Sequence, residues 1–347
     1  MRRRCVLAAI CMALVLTACG KGDTKYTEQG YSCVINQNYT EAFGHFDQAL
    51  LAGEDSEMVY RGIGLAYMGT GEYAKAISSF RTALSYADME PEELEYDINY
   101  YMAICYYKLG EFDKAVSVYD AIIDILPKDK EAYFLRGSMK LYLADIEGAT
   151  KDFDKAAKVD KDDYSTYIDI YEVMINQGYN DEAQKYMDVV LSADNDKISN
   201  YDKARLCYFK GDYKRGANFL ETERSGKKAN ADLIKLLGEC YMMDGNNDYA
   251  AAVYSGYVET NKDPEIFNQL GLCYSSQGDY EMALAAFQKG LEITENNNCM
   301  QALKLNEIAC YENMYDFTNA KLKLEEYLAE YPGDERLEKE YEFLTTR

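Results

Sequence analysis

The stretch Gly71-Glu72-Tyr73-Ala74-Lys75-Ala76-Ile77-Ser78-Ser79-Phe80 contains the pattern from which the fold is predicted. Gly71 tolerates the left-handed conformation that often ends a helix, and the acidic and aromatic residues after it are typical of the start of the next helix. Ala76 and Phe80 are four residues apart and therefore lie on one face of that helix. The stretch predicts a tight turn followed by an amphipathic helix.

The same pairing of a small residue with a large apolar residue four positions later recurs along the whole chain. It is found at Ala42/Phe46, Ala76/Phe80, Ala115/Tyr119, Ala149/Phe153, Ala183/Met187, Ala250/Tyr254, Ala283/Phe287 and Ala320/Leu324, and Gly216/Leu220 fills the one gap. The small residues are 34, 39, 34, 34, 33, 34, 33 and 37 residues apart. A second apolar pattern at helical spacing precedes most pairs, and Gly or Ala within it lets two helix backbones approach closely. A unit of helix, tight turn and helix is therefore predicted nine times.

These units resemble the tetratricopeptide repeat, in which Leu-Gly and Tyr on a first helix precede Ala and Phe on a second. One unit shows the pattern as Leu270-Gly271, Tyr274, Ala283 and Phe287. The resemblance implies an all-α, right-handed superhelical solenoid of about nine units over residues 24–332, with a degenerate sixth unit around Gly216. Residues 333–347, with apolar side chains at helical spacing, are predicted to form a C-terminal capping helix. The family implies a binding scaffold without naming what is bound.

The first nineteen residues look like the export signal of a bacterial lipoprotein. Three arginines at positions 2–4 precede an apolar run over residues 5–16, which is too short to span a bilayer. Leu16-Thr17-Ala18-Cys19 resembles the lipobox, in which the cysteine becomes the lipidated first residue. We therefore predict a signal peptide over residues 1–18 and a lipidated Cys19 with a short tether over residues 19–23. The alternative is an ordinary secretory signal with an incidental cysteine.

That signal predicts a location outside the cytoplasm on a bacterial membrane. The anchor would lie in the outer leaflet of the cytoplasmic membrane, or in the outer membrane of a Gram-negative cell.

The composition excludes several classes of function. The chain has 37 basic and 60 acidic residues, a net charge of −23, and a nucleic-acid partner would instead require a basic surface. No Walker-type loop, G-x-S-x-G, H-E-x-x-H or C-x-x-C motif is present, and the single histidine, His45, is interpreted as a surface or packed residue. We therefore predict no catalytic residue, no cofactor and no metal site.

Six cysteines fall nine or ten residues before the small residue of their unit. They are Cys33, Cys105, Cys207, Cys240, Cys273 and Cys310. Equivalent places in neighbouring units lie about 10 Å apart at helix-packing distances, beyond the limit of about 7 Å for a disulfide. We therefore predict small core residues rather than disulfides.

In the family the first helix of each unit lines a concave groove, at positions eighteen, fifteen, eleven and eight residues before the repeat alanine. The resemblance implies these candidate groove residues: Met58, Arg61, Leu65, Met68, Tyr100, Ile104, Tyr107, Phe134, Leu141, Ile168, Ile175, Tyr201, Arg205 and Tyr208. A surface rich in Tyr, Met and Ile suits an extended peptide or a helix, so the predicted partner is a protein or peptide in envelope assembly or a surface complex.

Two alternatives remain open for these groove positions. The side chains can simply pack within the solenoid. The chain can also be a substrate-capture lipoprotein that holds a glycan or another small ligand for a transporter or enzyme, although the absence of Trp counts against a sugar platform.

Overall fold

The computed structural model describes residues 24–87, 93–226, 229–294, 299–331 and 335–346. Within these ranges the chain forms nineteen α-helices and one short 3-10 helix, and no strand. The predicted all-α fold is confirmed. The predicted signal peptide, Cys19 and the tether lie outside the described residues. Among the described helices, none is both long and apolar enough to cross a lipid bilayer.

The chain divides into two compact units. The first ends at Ile198 and the second begins at Ser199. The first unit contains five helix pairs, and a 3-10 helix at Asn195–Lys197 follows them. The helices are α1 (Lys25–Ile35), α2 (Tyr39–Ala52), α3 (Ser56–Gly69), α4 (Tyr73–Leu84), α5 (Glu93–Lys108), α6 (Phe112–Ile125), α7 (Lys130–Tyr142), α8 (Ile146–Val159), α9 (Tyr164–Asn176) and α10 (Asn180–Ser192).

The second unit contains four helix pairs and a final single helix. Its helices are α11 (Asn200–Phe209), α12 (Tyr213–Gly226), α13 (Ala231–Met243), α14 (Asn247–Val258), α15 (Pro264–Ser276), α16 (Tyr280–Leu291), α17 (Met300–Asn313), α18 (Phe317–Glu330) and α19 (Glu335–Thr345). In both units the two helices of a pair pack together, and most pairs also pack against the next pair. The degenerate sixth repeat forms an ordinary pair, α11 and α12.

The turn inside each pair adopts the left-handed conformation that the glycine pattern predicts. At Gly71 φ is 78°, and the next amide, of Glu72, donates a hydrogen bond of 2.9 Å to the carbonyl of Tyr67. Three repeats reach the same conformation without glycine. The residues at the equivalent place are Gln37 (φ 60°), Ala144 (φ 58°) and Tyr315 (φ 62°).

A buried ring lying on a glycine backbone joins the two helices of most pairs. Phe80 on α4 is fully buried, and a Cβ atom built on Gly64 of α3 would lie 2.4 Å from its Cε1 atom. The absence of a side chain at Gly64 therefore lets the ring touch the α3 backbone. The same contact joins Phe46 to Gly30, Phe153 to Gly137, Tyr254 to Gly238 and Phe287 to Gly271.

The cysteines and the last helix match their predicted roles with one exception. Cys105, Cys207, Cys240, Cys273 and Cys310 are buried and form no disulfide. Cys33 is only half-buried, so it is not a core residue like the others. At the C-terminus α19 packs on α18 and buries Leu337 and Leu344, each 3% exposed, which confirms the capping helix.

The ring-on-glycine contact can be tested with two matched substitutions. Gly64→Ala and Gly44→Ala each place alanine in a helix, which favours folding by about 1 kcal/mol. A Cβ at Gly44 would have no neighbour within 4 Å, whereas at Gly64 it would overlap the buried Phe80 ring. Overpacking costs about 1–3 kcal/mol, so we expect urea unfolding to show Gly64→Ala less stable than Gly44→Ala by that amount. Equal stabilities would show that the ring moves aside at no cost.

Candidate functional site

The candidate groove residues divide by exposure into two groups. In the first unit Arg61, Leu65, Leu141 and Ile168 are buried, between 0% and 5% exposed, so they offer little surface to a ligand. The others are half-buried: Met58, Met68, Tyr100, Ile104, Tyr107, Phe134 and Ile175 in the first unit, and Tyr201, Arg205 and Tyr208 in the second. Contact with a partner therefore depends on the half-buried side chains.

Arg61 links the first three repeats through a buried polar network. Its side chain is 6% exposed, and its Nε atom donates a hydrogen bond of 3.0 Å to Asp97 on α5. Its Nη1 atom donates to the hydroxyl of Tyr31 on α1 at 3.2 Å, and the rings of Tyr31 and Tyr101 lie 5.6 Å from the guanidinium. Burial alone would lower the pKa of Arg61, but Tyr31 and Asp97 outweigh it and raise that pKa. Arg61 is thus a charged structural link between first helices.

Tyr100 also holds a first helix to the next repeat. Its hydroxyl donates a hydrogen bond of 2.9 Å to Oδ2 of Asp129, and Oδ1 of Asp129 accepts from the backbone amide of Ala132 at the start of α7. Burial, followed by the nearby carboxylate of Asp129, raises the pKa of Tyr100 above its ordinary value. The tyrosine therefore stays a neutral donor and positions the α7 N-terminus.

We use the name aromatic patch for the contacting rings of Tyr107, Phe112 and Tyr142 together with the exposed Leu109 and Leu143, which are near these rings in the sequence. The Tyr142 ring stacks on Phe112 at 4.5 Å and meets the Tyr107 ring edge-on at 5.5 Å. The two tyrosine hydroxyls lie 3.1 Å apart. Leu109 follows the end of α5 and Leu143 follows the end of α7.

The aromatic patch combines a rigid base with exposed apolar side chains. Tyr142, Leu109 and Leu143 are 38%, 43% and 45% exposed. Rings held by one another lose little conformational freedom on binding, and their hydroxyls can hydrogen-bond to a peptide backbone. Chemically, this patch suits an apolar side chain flanked by main-chain amides.

The groove positions inferred from the sequence, counted back from each repeat alanine, include Tyr107 but not the other four members of the aromatic patch. They lie seven, six or three residues before the repeat alanine of their unit, whereas the groove positions lie eighteen, fifteen, eleven and eight residues before it. A sequence signal was present, because Tyr107-x-Leu109 and Tyr142-Leu143 place an aromatic and an aliphatic residue just before two successive turns.

The candidate residues of the second unit lie on α11 and also interact locally. Nη1 of Arg205 lies 3.8 Å from the carboxylate of Asp202, and only 12% of the Arg205 side chain is exposed. The Tyr208 ring meets the Tyr213 ring of α12 edge-on at 5.4 Å. Arg205 is thus an ion-pair member, and Tyr208 packs between the two helices of its own repeat.

Comparisons with known proteins agree with this helical architecture. Family models of the tetratricopeptide repeat match residues 61–130 and 264–297. Over 238 residues the chain is 22% identical to a TPR repeat-containing protein of Methanocaldococcus jannaschii, a match covering 65% of this chain and 41% of that protein. Over 166 residues it is 25% identical to the BBSome complex member BBS4 of Bos taurus, covering 46% of this chain and 31% of that one. The chain thus spans less than half the length of these relatives.

A solved structure is also similar. The crystal structure of a tetratricopeptide repeat protein from Parabacteroides merdae is 18% identical, with a TM-score of 0.43. The match covers 73% of this chain and 99% of that one.

The structural role of Arg61 predicts that Asp97→Asn destabilises the protein. Removing a carboxylate that pairs with a buried cation costs about 3–5 kcal/mol when both groups are buried. Asp97 is 31% exposed, so we expect a smaller loss of about 1–3 kcal/mol in urea unfolding. Glu147→Gln is the matched control, because it breaks an ion pair whose carboxylate is 83% exposed, and it should cost under about 0.5 kcal/mol. Equal effects would contradict the structural role.

Proposed function

This chain is a tetratricopeptide repeat protein, and from that premise we propose that it is a non-catalytic scaffold that binds another protein or a peptide. The described residues offer exposed apolar side chains on a repeated helical framework, as expected of a docking surface. The proposed setting is the outside of a bacterial membrane, where the scaffold would serve envelope assembly or a surface complex.

The aromatic patch is the observation that carries this proposal. Its three rings contact one another, so they present a fixed surface, and its two leucines add area that a partner can cover. Aromatic anchors of this kind contribute most of the binding energy at many protein interfaces. An extended segment with one or two apolar side chains fits this chemistry better than a large charged surface.

The charge of the chain supports a further property of the partner. A net charge of −23 creates a field that speeds association with basic molecules and slows association with acidic ones. We propose that the bound segment carries Lys or Arg on either side of its apolar side chains. Binding would then weaken as the salt concentration rises.

Membrane attachment rests on the lipobox-like residues 16–19. In the proposal Cys19 carries the lipid, and α1 begins at Lys25, six residues later. Six residues reach at most about 21 Å when fully extended. The first repeat would therefore lie close to the membrane surface.

Photocrosslinking in native membranes tests the binding surface. A photoreactive residue replaces Tyr142 in one protein and Tyr249, 64% exposed, in a second. We expect a discrete protein adduct from position 142 only. In the protein with the photoreactive residue at 142, Leu109→Ser together with Leu143→Ser should reduce the yield of this adduct at least about fivefold, because loss of apolar anchors weakens binding at an interface. Leu51→Ser, at a leucine 89% exposed, is the control that should leave the adduct unchanged.

Three results would contradict the proposed binding surface. One is equal crosslinking from positions 142 and 249, and another is an adduct that survives loss of both leucines. The third is the absence of a protein adduct together with thermal stabilisation by glycans, which would favour the substrate-capture alternative.

Fatty-acid labelling tests the anchor. In a bacterial host, Cys19→Ala should abolish incorporation of an alkyne fatty acid and release the protein from the membrane fraction. Cys11→Ala is the matched control, because residue 11 lies in the segment that processing would remove, and its label should persist. Labelling that persists in Cys19→Ala would overturn the proposed attachment.

A further inference from the structure

Three metal-ligating side chains of different types meet in the first repeat. Cys33 of α1 and Glu41 and His45 of α2 each place one donor atom within 4.8 Å of the other two. Nε2 of His45 lies 3.7 Å from Oε1 of Glu41. Cys33 is half-buried, while the side chains of His45 and Glu41 are 23% and 64% exposed. The cluster is thus sheltered on the thiol side and open to solvent on the carboxylate side.

The backbone fixes the relative positions of these three residues. Glu41 and His45 are four residues apart on α2, which puts both on one face of that helix. Cys33 lies near the end of α1, where its carbonyl accepts a hydrogen bond of 2.8 Å from the amide of Asn38 in the turn. The turn that joins the two helices therefore also brings the thiol to the carboxylate and the imidazole.

The three residues occupy positions at which side chains of other repeats contact one another. The three residues lie nine before, one before and three after the repeat alanine, Ala42. In other repeats two side chains from these places form a cation–π contact, an ion pair or a ring stack. Examples are Lys75 over Tyr67 (5.3 Å), Lys114 over Tyr106 (5.7 Å), Lys140 with Asp152 (2.7 Å), Arg215 over Phe219 (5.6 Å) and Tyr241 with Tyr249 (5.6 Å).

In the first repeat Glu41 and His45 also approach one another, at 3.7 Å, but here all three places hold Lewis-basic donors. Nδ1 of His45 is buried and has no hydrogen-bond partner among the described residues, so the imidazole gives up no protein hydrogen bond there when it binds a metal. Thiolate, imidazole and carboxylate are the ligand types of zinc, with metal–ligand distances of about 2.0–2.3 Å. Tetrahedral geometry then requires donors about 3.5 Å apart, within reach of small side-chain rotations.

We propose that Cys33, Glu41 and His45 form a binding site for one divalent zinc ion. The three residues supply three ligands, and the fourth position faces the solvent beside Glu41, where water or a donor from a bound molecule can complete the tetrahedron. Binding transfers the thiol proton to solvent, because zinc is ligated by the thiolate. The ion would join α1 to α2.

Cobalt substitution in the untagged full-length chain tests this site under reducing conditions. Cobalt(II) bound to a thiolate gives a charge-transfer absorption band in the near ultraviolet, and we expect such a band at one equivalent that zinc then displaces. Cys33→Ser should abolish the band. His45→Gln and Glu41→Gln should weaken cobalt binding by about tenfold or more, since even changes around metal ligands cost that much.

The chain contains a matched control for the thiol. Cys207 lies at the equivalent place of the sixth repeat, nine residues before Gly216, but the other two places hold Arg215 and Phe219. Cys207→Ser should therefore leave the band intact. A band that persists in Cys33→Ser, or is lost equally in Cys207→Ser, would show adventitious thiol binding and overturn the proposed site.

A second measurement does not depend on how the variants fold. His45 is the single histidine of the chain, so its imidazole nitrogens give one assignable set of signals in a long-range ¹H–¹⁵N NMR spectrum. One equivalent of zinc added to the unmodified protein should shift the signal of one nitrogen strongly. Unchanged nitrogen signals after addition of zinc would overturn the proposal.

Discussion

The contact between a buried aromatic ring and a glycine backbone is the constraint on which most of the repeats depend. Phe80 on α4 reaches the α3 backbone only because Gly64 has no side chain, and four further repeats make the same contact. A ring buried in this way makes many dispersion contacts, and it also fixes the separation of the two helices. The turn between the helices and the side chains at its ends are then placed by that geometry.

Packing, rather than residue type alone, sets the conformation of the turns. Gly71 adopts the left-handed conformation without steric cost, but Gln37, Ala144 and Tyr315 adopt it at the equivalent place. For residues with a Cβ atom this conformation costs about 1–2 kcal/mol, so the packed helices on both sides must hold it. The polar links between first helices, such as Arg61 with Asp97, build on helices already positioned in this way.

The sequence predicts the repeats well because the small residue, the ring and the turn recur at the same spacing in most units. It predicts the surface less well, because the exposure of a side chain depends on the neighbouring repeat. Arg61 and Tyr107 were both predicted to line the groove. Arg61 is instead buried and paired with Asp97, whereas Tyr107 is part of the aromatic patch. Tyr142 was missed because it lies one residue beyond the groove positions, and it meets Tyr107 only after two repeats have packed.

In a repeat protein an unusual site can be recognised by comparing the residues at equivalent positions of different repeats. In five other repeats, two of the three equivalent places hold rings or charged side chains, and these stabilise the pair of helices by contacting one another. Cys33, Glu41 and His45 occupy these places in the first repeat, and they are poor substitutes for such a contact because one nitrogen remains buried without a hydrogen bond. An unpaired buried polar atom costs about 1–3 kcal/mol, so this combination stabilises the helix pair less than the contacts of the other repeats do. A cation bound through Nδ1 of His45 would remove this conflict, because the buried nitrogen would gain a partner and the three groups would become ligands of one centre.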